Sequence, residues 1–147
     1  MQSFKQRLAR DEGFTLIELL VVLIIIGVLL AIAIPSYLGF QKSAQKTAAA
    51  SDVRQAIPDA EAWYADKNSY SGMTAALLQS TYDSGMKLYN AGPPEVPGIV
   101  SAIPSATDSQ KYCISAEDSG HWASVQGPGG TVTVAADTVT TDPCAGF

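Results

Sequence analysis

Apolar residues are concentrated near the start of the chain. Between residues 14 and 34 the only charged side chain is Glu18, and most other positions are aliphatic. A helix over these residues would be roughly 31 Å long, close to the hydrocarbon core of a membrane at about 30 Å. Basic residues precede the run at Lys5, Arg7 and Arg10. Their position predicts that the N-terminal side stays in the cytoplasm.

The pattern over residues 36–67 predicts that the helix continues with one apolar side. Polar residues between 41 and 46 cover the section nearest the membrane, and Pro58 is expected to kink or interrupt the helix. Spacings of three and four then place one apolar stripe on the face that we expect to become core: Ala49, Val53, Ala56, Ile57, Ala60 and Tyr64.

The remainder, residues 68–147, predicts a small head of turns and short strands. Residues 68–72, NSYSG, should end the helix, residues 73–78 suggest a short helical turn, and the Pro- and Gly-rich segment 90–98 connects helix to sheet. Alternating residues predict strands at 99–103, 111–117, 121–126 and 131–136, with Tyr112, Ile114 and Ala116 on one face. The predicted class is α+β, a long N-terminal helix packed on a small antiparallel sheet.

Composition and charge narrow the possible functions. The 147 residues suit one domain with an attached segment, and the net charge of -5 argues against a surface that coats nucleic acid. His121 has no nucleophile in a recognisable motif, so neither an enzyme nor a cofactor is predicted. Four acids, Glu117, Asp118, Asp137 and Asp142, lack the spacing of a calcium loop. We interpret them as solvated loop residues and predict no metal site.

The apolar run itself is open to two simple interpretations, a single-span anchor or a secretory signal. A secretory signal has an apolar core of about 7–15 residues followed by a cleavage site, whereas this run is longer and continues into helix-like sequence. Glu18 argues for more than anchoring, because a carboxylate inside a membrane helix costs on the order of a few kcal/mol and usually has a function. An acid that reaches back to the membrane surface remains the alternative.

The stretch Gly13-Phe14-Thr15-Leu16-Ile17-Glu18, after a short basic leader and before a charge-free helix, resembles the type IV prepilin family. The resemblance is close over residues 1–40. Beyond them, only the order of a helix followed by a small sheet is shared. It implies that a membrane peptidase removes residues 1–13 by cutting after Gly13, and that the same enzyme methylates the new amino group of Phe14. Residues 14–35 would then form the membrane and assembly helix, residues 36–67 its amphipathic continuation, and residues 68–147 a pilin-like head.

The resemblance also implies roles for three residues of the helix. The ammonium group created at Phe14 lies about one helical turn from Glu18, and in an apolar medium each charge needs an opposite one. We expect Glu18 to pair with the Phe14 amine of a neighbouring subunit and so to set the register of assembly, as a polar core residue does in coiled coils. Gly27 and Pro35 are expected to loosen the helix during assembly, although an ordinary kinked membrane helix remains the alternative.

Cys113 and Cys144 are the only cysteines, so only one intramolecular pairing exists. A disulfide would tie the C-terminal tail to the sheet and would require an oxidising compartment outside the cytoplasm. In type IV pilins a disulfide often bounds a surface loop near the C-terminus, and residues 113–144 are similar. Two unpaired thiols remain the alternative.

The sequence therefore predicts a structural protein. It would be held in the membrane with its head outside the cytoplasm, and then assembled with further copies by a pilus machinery into an extracellular type IV pilus for adhesion, twitching motility or DNA uptake. One alternative is a pseudopilin of a type II secretion or competence system. Another is a monomeric membrane-anchored binding domain.

Overall fold

The longest element is helix α1, Leu16–Lys67. The computed structural model describes residues 14–90 and 96–147 and divides the chain into two units, one ending at Gly39 and one beginning at Phe40. The predicted leader, residues 1–13, lies outside the described residues, as do residues 91–95 of the predicted Pro- and Gly-rich connection.

The described part of the first unit is an apolar helix with no buried residue. Every residue from 14 to 39 is exposed, including Leu23 at 61% and Ile32 at 69%. Among the described residues, α1 is the one helix long and apolar enough to cross a membrane. Because exposure of so much aliphatic surface to water is unfavourable, this helix requires lipid or other protein chains around it.

The part of α1 in the second unit has the opposite character. Its buried residues lie on one side of the helix, as the predicted stripe requires, and most of them are small: Ala49, Ala50, Val53, Ala56, Ala60 and Trp63. Ile57 and Tyr64 are partly buried against the same core. The predicted break at Pro58 is wrong, since α1 continues through it to Lys67, and the alternative of a kink there stays a prediction. Pro58 is exposed, while buried Ala56 and Ala60 on either side of it hold both flanking turns in the core.

The head contains a second helix, α2, Ala75–Thr81, which begins two residues later than the predicted turn at 73–78. The N-cap explains this start, because Thr74 is extended and its side chain accepts a hydrogen bond from the Leu77 N–H. Leu78 is the buried residue of α2.

The sheet is antiparallel, with its four strands in sequence order: β1 Gly98–Pro104, β2 Tyr112–Asp118, β3 His121–Gly127 and β4 Thr133–Val134. Tyr112, Ile114 and Ala116 of β2 are all buried in the core, as predicted. The predicted strand at 131–136 is wrong in length, since only Thr133 and Val134 pair with β3. Both residues are exposed. Their side chains therefore add no burial that would stabilise a longer strand.

Two tyrosines attach the sheet and the segment after α1 to the helix. Tyr112 and Tyr70 donate hydrogen bonds to Glu61, to Oε1 at 3.1 Å and Oε2 at 3.0 Å respectively. Burial, with the neighbouring Glu61 carboxylate, raises the pKa of both phenols, so they remain neutral donors at any physiological pH. One carboxylate therefore joins three separate segments of the head.

The C-terminal tail is held on the other side of the sheet through Cys113 and Cys144, which form a disulfide. Next to it, the fully buried Ser115 hydroxyl lies 2.8 Å from that of Ser101 and donates to Asp142 Oδ1 at 2.6 Å. Asp142 Oδ1 also accepts from the Cys144 N–H at 2.8 Å. The tail is thus fixed by a covalent bond and by one shared carboxylate oxygen.

Replacement of Ser115 by Ala should lower the free energy of unfolding by about 1–3 kcal/mol, because Asp142 loses a charge-assisted hydrogen bond in a buried setting. Urea denaturation of the full chain in detergent measures this. Ser124→Ala is the matched control, since Ser124 pairs with Ser115 across β2 and β3 but is only partly buried. Equal losses in the two variants would contradict the role of the Ser115 hydroxyl.

Candidate assembly and processing site

The first turn of α1 is closed by a reciprocal pair of side chains, Thr15 and Glu18. Leu16 is the first helical residue, so Thr15 occupies the N-cap position and Glu18 the third position of the helix. Glu18 Oε2 accepts from the Thr15 N–H at 2.9 Å and from the Thr15 hydroxyl at 2.6 Å. In return, Thr15 Oγ1 lies 3.3 Å from the Glu18 N–H. This arrangement is a capping box.

The capping box gives Glu18 a second role that sequence reasoning missed. Helix N-termini leave backbone N–H groups without partners, and a carboxylate in the first turn also interacts favourably with the helix dipole. The signal was present in the sequence as threonine followed three positions later by glutamate.

The geometry leaves room for a further partner at the carboxylate. Both hydrogen bonds from Thr15 end on the same oxygen, Oε2. Phe14, directly before the cap, is 85% exposed. A shallow depression of about 380 Å³ lies beside the carboxylate and is lined by apolar side chains: Phe14, Ile17, Val21 and Val22. The site therefore combines one charged group with an uncovered apolar surface.

Gly27 and Pro35 lie within the continuous helix and do not end it. An added Cβ at Gly27 would meet nothing within 4 Å in this chain, so the glycine leaves the backbone open to close approach by another helix. Next to Pro35, the Ser36 hydroxyl donates to the Ile32 carbonyl at 3.4 Å. The expected loosening of the helix between Gly27 and Pro35 stays a prediction.

Gly13, on the N-terminal side of the predicted cleavage bond, lies outside the described residues. Phe14 precedes the helix, which starts at Leu16. The bond between Gly13 and Phe14 is thus within three residues of the capped end of the helix. Cleavage there would leave the capping box intact.

The acids of the head are engaged in contacts of their own. Asp137 Oδ1 lies 2.6 Å from Lys46 Nζ and 3.4 Å from His121 Nδ1. The hydrogen bond from Lys46 is the main reason that the pKa of Asp137 is lowered. Asp142 serves Ser115 and the tail, as described above. The residues that the structure describes contain no group of three or more side chains suited to hold a metal ion.

Comparisons with known proteins show what this chain resembles. The prokaryotic N-terminal methylation motif matches residues 8–34. The chain is 36% identical over 109 residues to the type IV wide pilus major component PilA4 of Thermus thermophilus, covering 74% of this chain and 75% of that protein. The chain belongs to the type IV pilin family.

Further relatives of this pilin match shorter stretches. The type IV major pilin protein PilA of Myxococcus xanthus is 39% identical over 62 residues, which cover 42% of this chain and 28% of that protein. The type II secretion system core protein G of Pectobacterium carotovorum is 30% identical over 93 residues, 60% of each chain. No solved structure matches. The relatives thus include both pilins and a secretion-system protein, with a pilin aligned over the greater length.

Substitution of Thr15 by Val in the pilin should weaken the first turn of α1 by about 1 kcal/mol, because the helix loses its N-cap hydroxyl. Amide hydrogen exchange at Glu18 and Leu19, whose N–H groups are hydrogen-bonded to Thr15, should become roughly fivefold faster when measured in detergent micelles. Thr15→Ser keeps a capping hydroxyl and serves as the control. Equal exchange in wild type and Thr15→Val would show that the box does not hold the helix end.

Proposed function

We propose that this chain is the structural subunit of a type IV pilus. In this proposal it is processed after Gly13, N-methylated at Phe14 by the processing enzyme, and polymerised through its N-terminal helix. The observation that carries the proposal is the exposure of an aliphatic helical segment, residues 14–39, with one acid, Glu18, at its start. Such a surface is suited first to lipid and then to the same surface of other copies.

Assembly between copies supplies what the isolated chain lacks. Stacked helices cover the aliphatic side chains of residues 14–39, all of which are exposed in one chain. Once covered, the Glu18 carboxylate loses water and requires a cation or further donors. Cleavage after Gly13 would create an ammonium group on Phe14, and a staggered neighbour can place that group beside Glu18. The second carboxylate oxygen is the natural acceptor, because Thr15 uses only Oε2.

The precursor and the assembled form would occupy different places. Before assembly, α1 would hold the chain in the membrane with residues 40–147 outside the cytoplasm, where the disulfide between Cys113 and Cys144 is stable. After assembly, the chain would belong to an extracellular filament. The partners in this account are further copies of the chain, the prepilin peptidase and the pilus assembly machinery.

A second candidate function is that of a pseudopilin, favoured by the 30% identity to the type II secretion system core protein G of Pectobacterium carotovorum. Both functions use the same processed helix. Electron microscopy of the host distinguishes them, since a pilin builds long surface filaments that antibodies to this chain label along their length.

Replacement of Glu18 by Gln should abolish filaments while leaving membrane insertion and cleavage intact. Glutamine also forms capping boxes, so this variant keeps the helix cap and removes only the charge. Glu18→Val removes both and should fail equally. Filaments are counted by electron microscopy, and the N-terminal peptide of the cell-associated protein is identified by mass spectrometry.

Leu19→Val is the matched control, because it alters a neighbouring exposed position of the helix without changing charge. It should assemble normally. Normal filaments from Glu18→Gln would refute charge pairing and leave the carboxylate with its capping role alone. A wild-type protein that retains residues 1–13 in its filaments would refute the processing step, whatever the outcome for Glu18.

A further inference from the structure

Two buried polar atoms of α1, both in the second unit, have no partner among the residues that the structure describes. One is the indole N–H of Trp63, and the other is Oδ2 of Asp59. Trp63 is only 9% exposed as a whole residue. Neither residue belongs to the assembly site, and neither is used by the Glu61 network that joins the helix to the sheet.

Such atoms are unfavourable unless they are satisfied. An unpaired buried donor or acceptor costs about 1–3 kcal/mol, and native proteins pair nearly all of them with protein groups or ordered water. Here one atom is a donor and the other an acceptor, so a single small molecule between them can satisfy both.

The helix brings the two side chains to the same place. Asp59 and Trp63 are four residues apart in α1, and residues at this spacing lie on the same face as neighbours. A long helical side chain leans toward the N-terminus of its helix, so we expect the indole of Trp63 to extend over the turn that contains Asp59. The buried alanines at positions 56 and 60 lie on the same side of the helix.

The surroundings determine what the ligand is. It must accept a hydrogen bond from an indole N–H and donate one to a carboxylate. A metal cation cannot accept from the N–H, and an anion would be repelled by Asp59 and by Asp83, whose charge also acts on Asp59. Burial raises the pKa of Asp59, and so does Asp83, in agreement with a carboxyl group that is poorly solvated from the outside.

We propose that the second unit contains, on α1, a binding site for one internal water molecule, which accepts from Trp63 Nε1 and donates to Asp59 Oδ2. The water satisfies both buried atoms on a helix face packed in the core of the head. Internal waters of this kind make two to four hydrogen bonds and belong to the fold as side chains do.

Nuclear magnetic resonance on the full chain in detergent micelles tests this site. The chain has two tryptophans, so the indole N–H signal of Trp63 is assigned by its persistence in Trp122→Phe. The proposal predicts a cross-peak between this N–H and a long-lived water, with slow exchange of the N–H proton. A cross-peak to a protein acceptor in place of water, or free exchange with bulk water, would overturn the proposal.

Three variants show which carboxylate holds the water. Asp59→Asn keeps an acceptor oxygen and should keep the water cross-peak, whereas Asp59→Leu should lose it. Asp66→Asn makes the same chemical change at an exposed acid of the same helix, and it should leave the cross-peak unchanged. Persistence of the cross-peak in Asp59→Leu would contradict the assignment. If Asp59→Leu does not fold, the wild-type spectrum with Asp59→Asn still decides.

Discussion

The constraint on which this structure depends is the charge of Glu18 at the start of an otherwise aliphatic helix. A carboxylate that leaves water must receive hydrogen bonds or meet an opposite charge, and the aliphatic side chains around Glu18 offer neither. In the single chain, Thr15 supplies two hydrogen bonds to one oxygen, and together they form the cap of α1. In the proposed filament, the other oxygen is paired by a neighbour. The two roles are compatible because they use different oxygens of one group.

The same helix presents two kinds of surface, each suited to a different environment. Up to Gly39 the aliphatic residues are exposed, which fits lipid or other helices. From Ala49 onward the buried residues are mostly alanine, and they pack in the same core as the sheet. Glu61 then joins this half to Tyr70 and Tyr112. The C-terminal half of the helix thus packs on the head of its own chain. In our proposal, the N-terminal half packs on other copies of the chain.

Much of this could be predicted from sequence because burial produced clear periodicity. The apolar run, the stripe from Ala49 to Tyr64 and the inward face of β2 all follow from spacing, and the structure confirms them. Predictions that depended on single residues were less successful. Pro58 does not interrupt α1, because packing on both sides outweighs one lost hydrogen bond. The strand at 131–136 shortens to two residues, because its alternation is not matched by burial. The capping box and the network of Ser115 and Asp142 depend on pairs of polar atoms, which periodicity does not reveal.

The central claim is that Glu18 pairs with the amino group of a neighbouring copy. A high-resolution cryo-electron microscopy structure of filaments purified from the host tests it most directly. The account predicts that the chain begins at Phe14 and that its nitrogen lies within about 4 Å of the Glu18 carboxylate of an adjacent subunit. A filament in which Glu18 faces water, or contacts only residues of its own chain, would contradict the account.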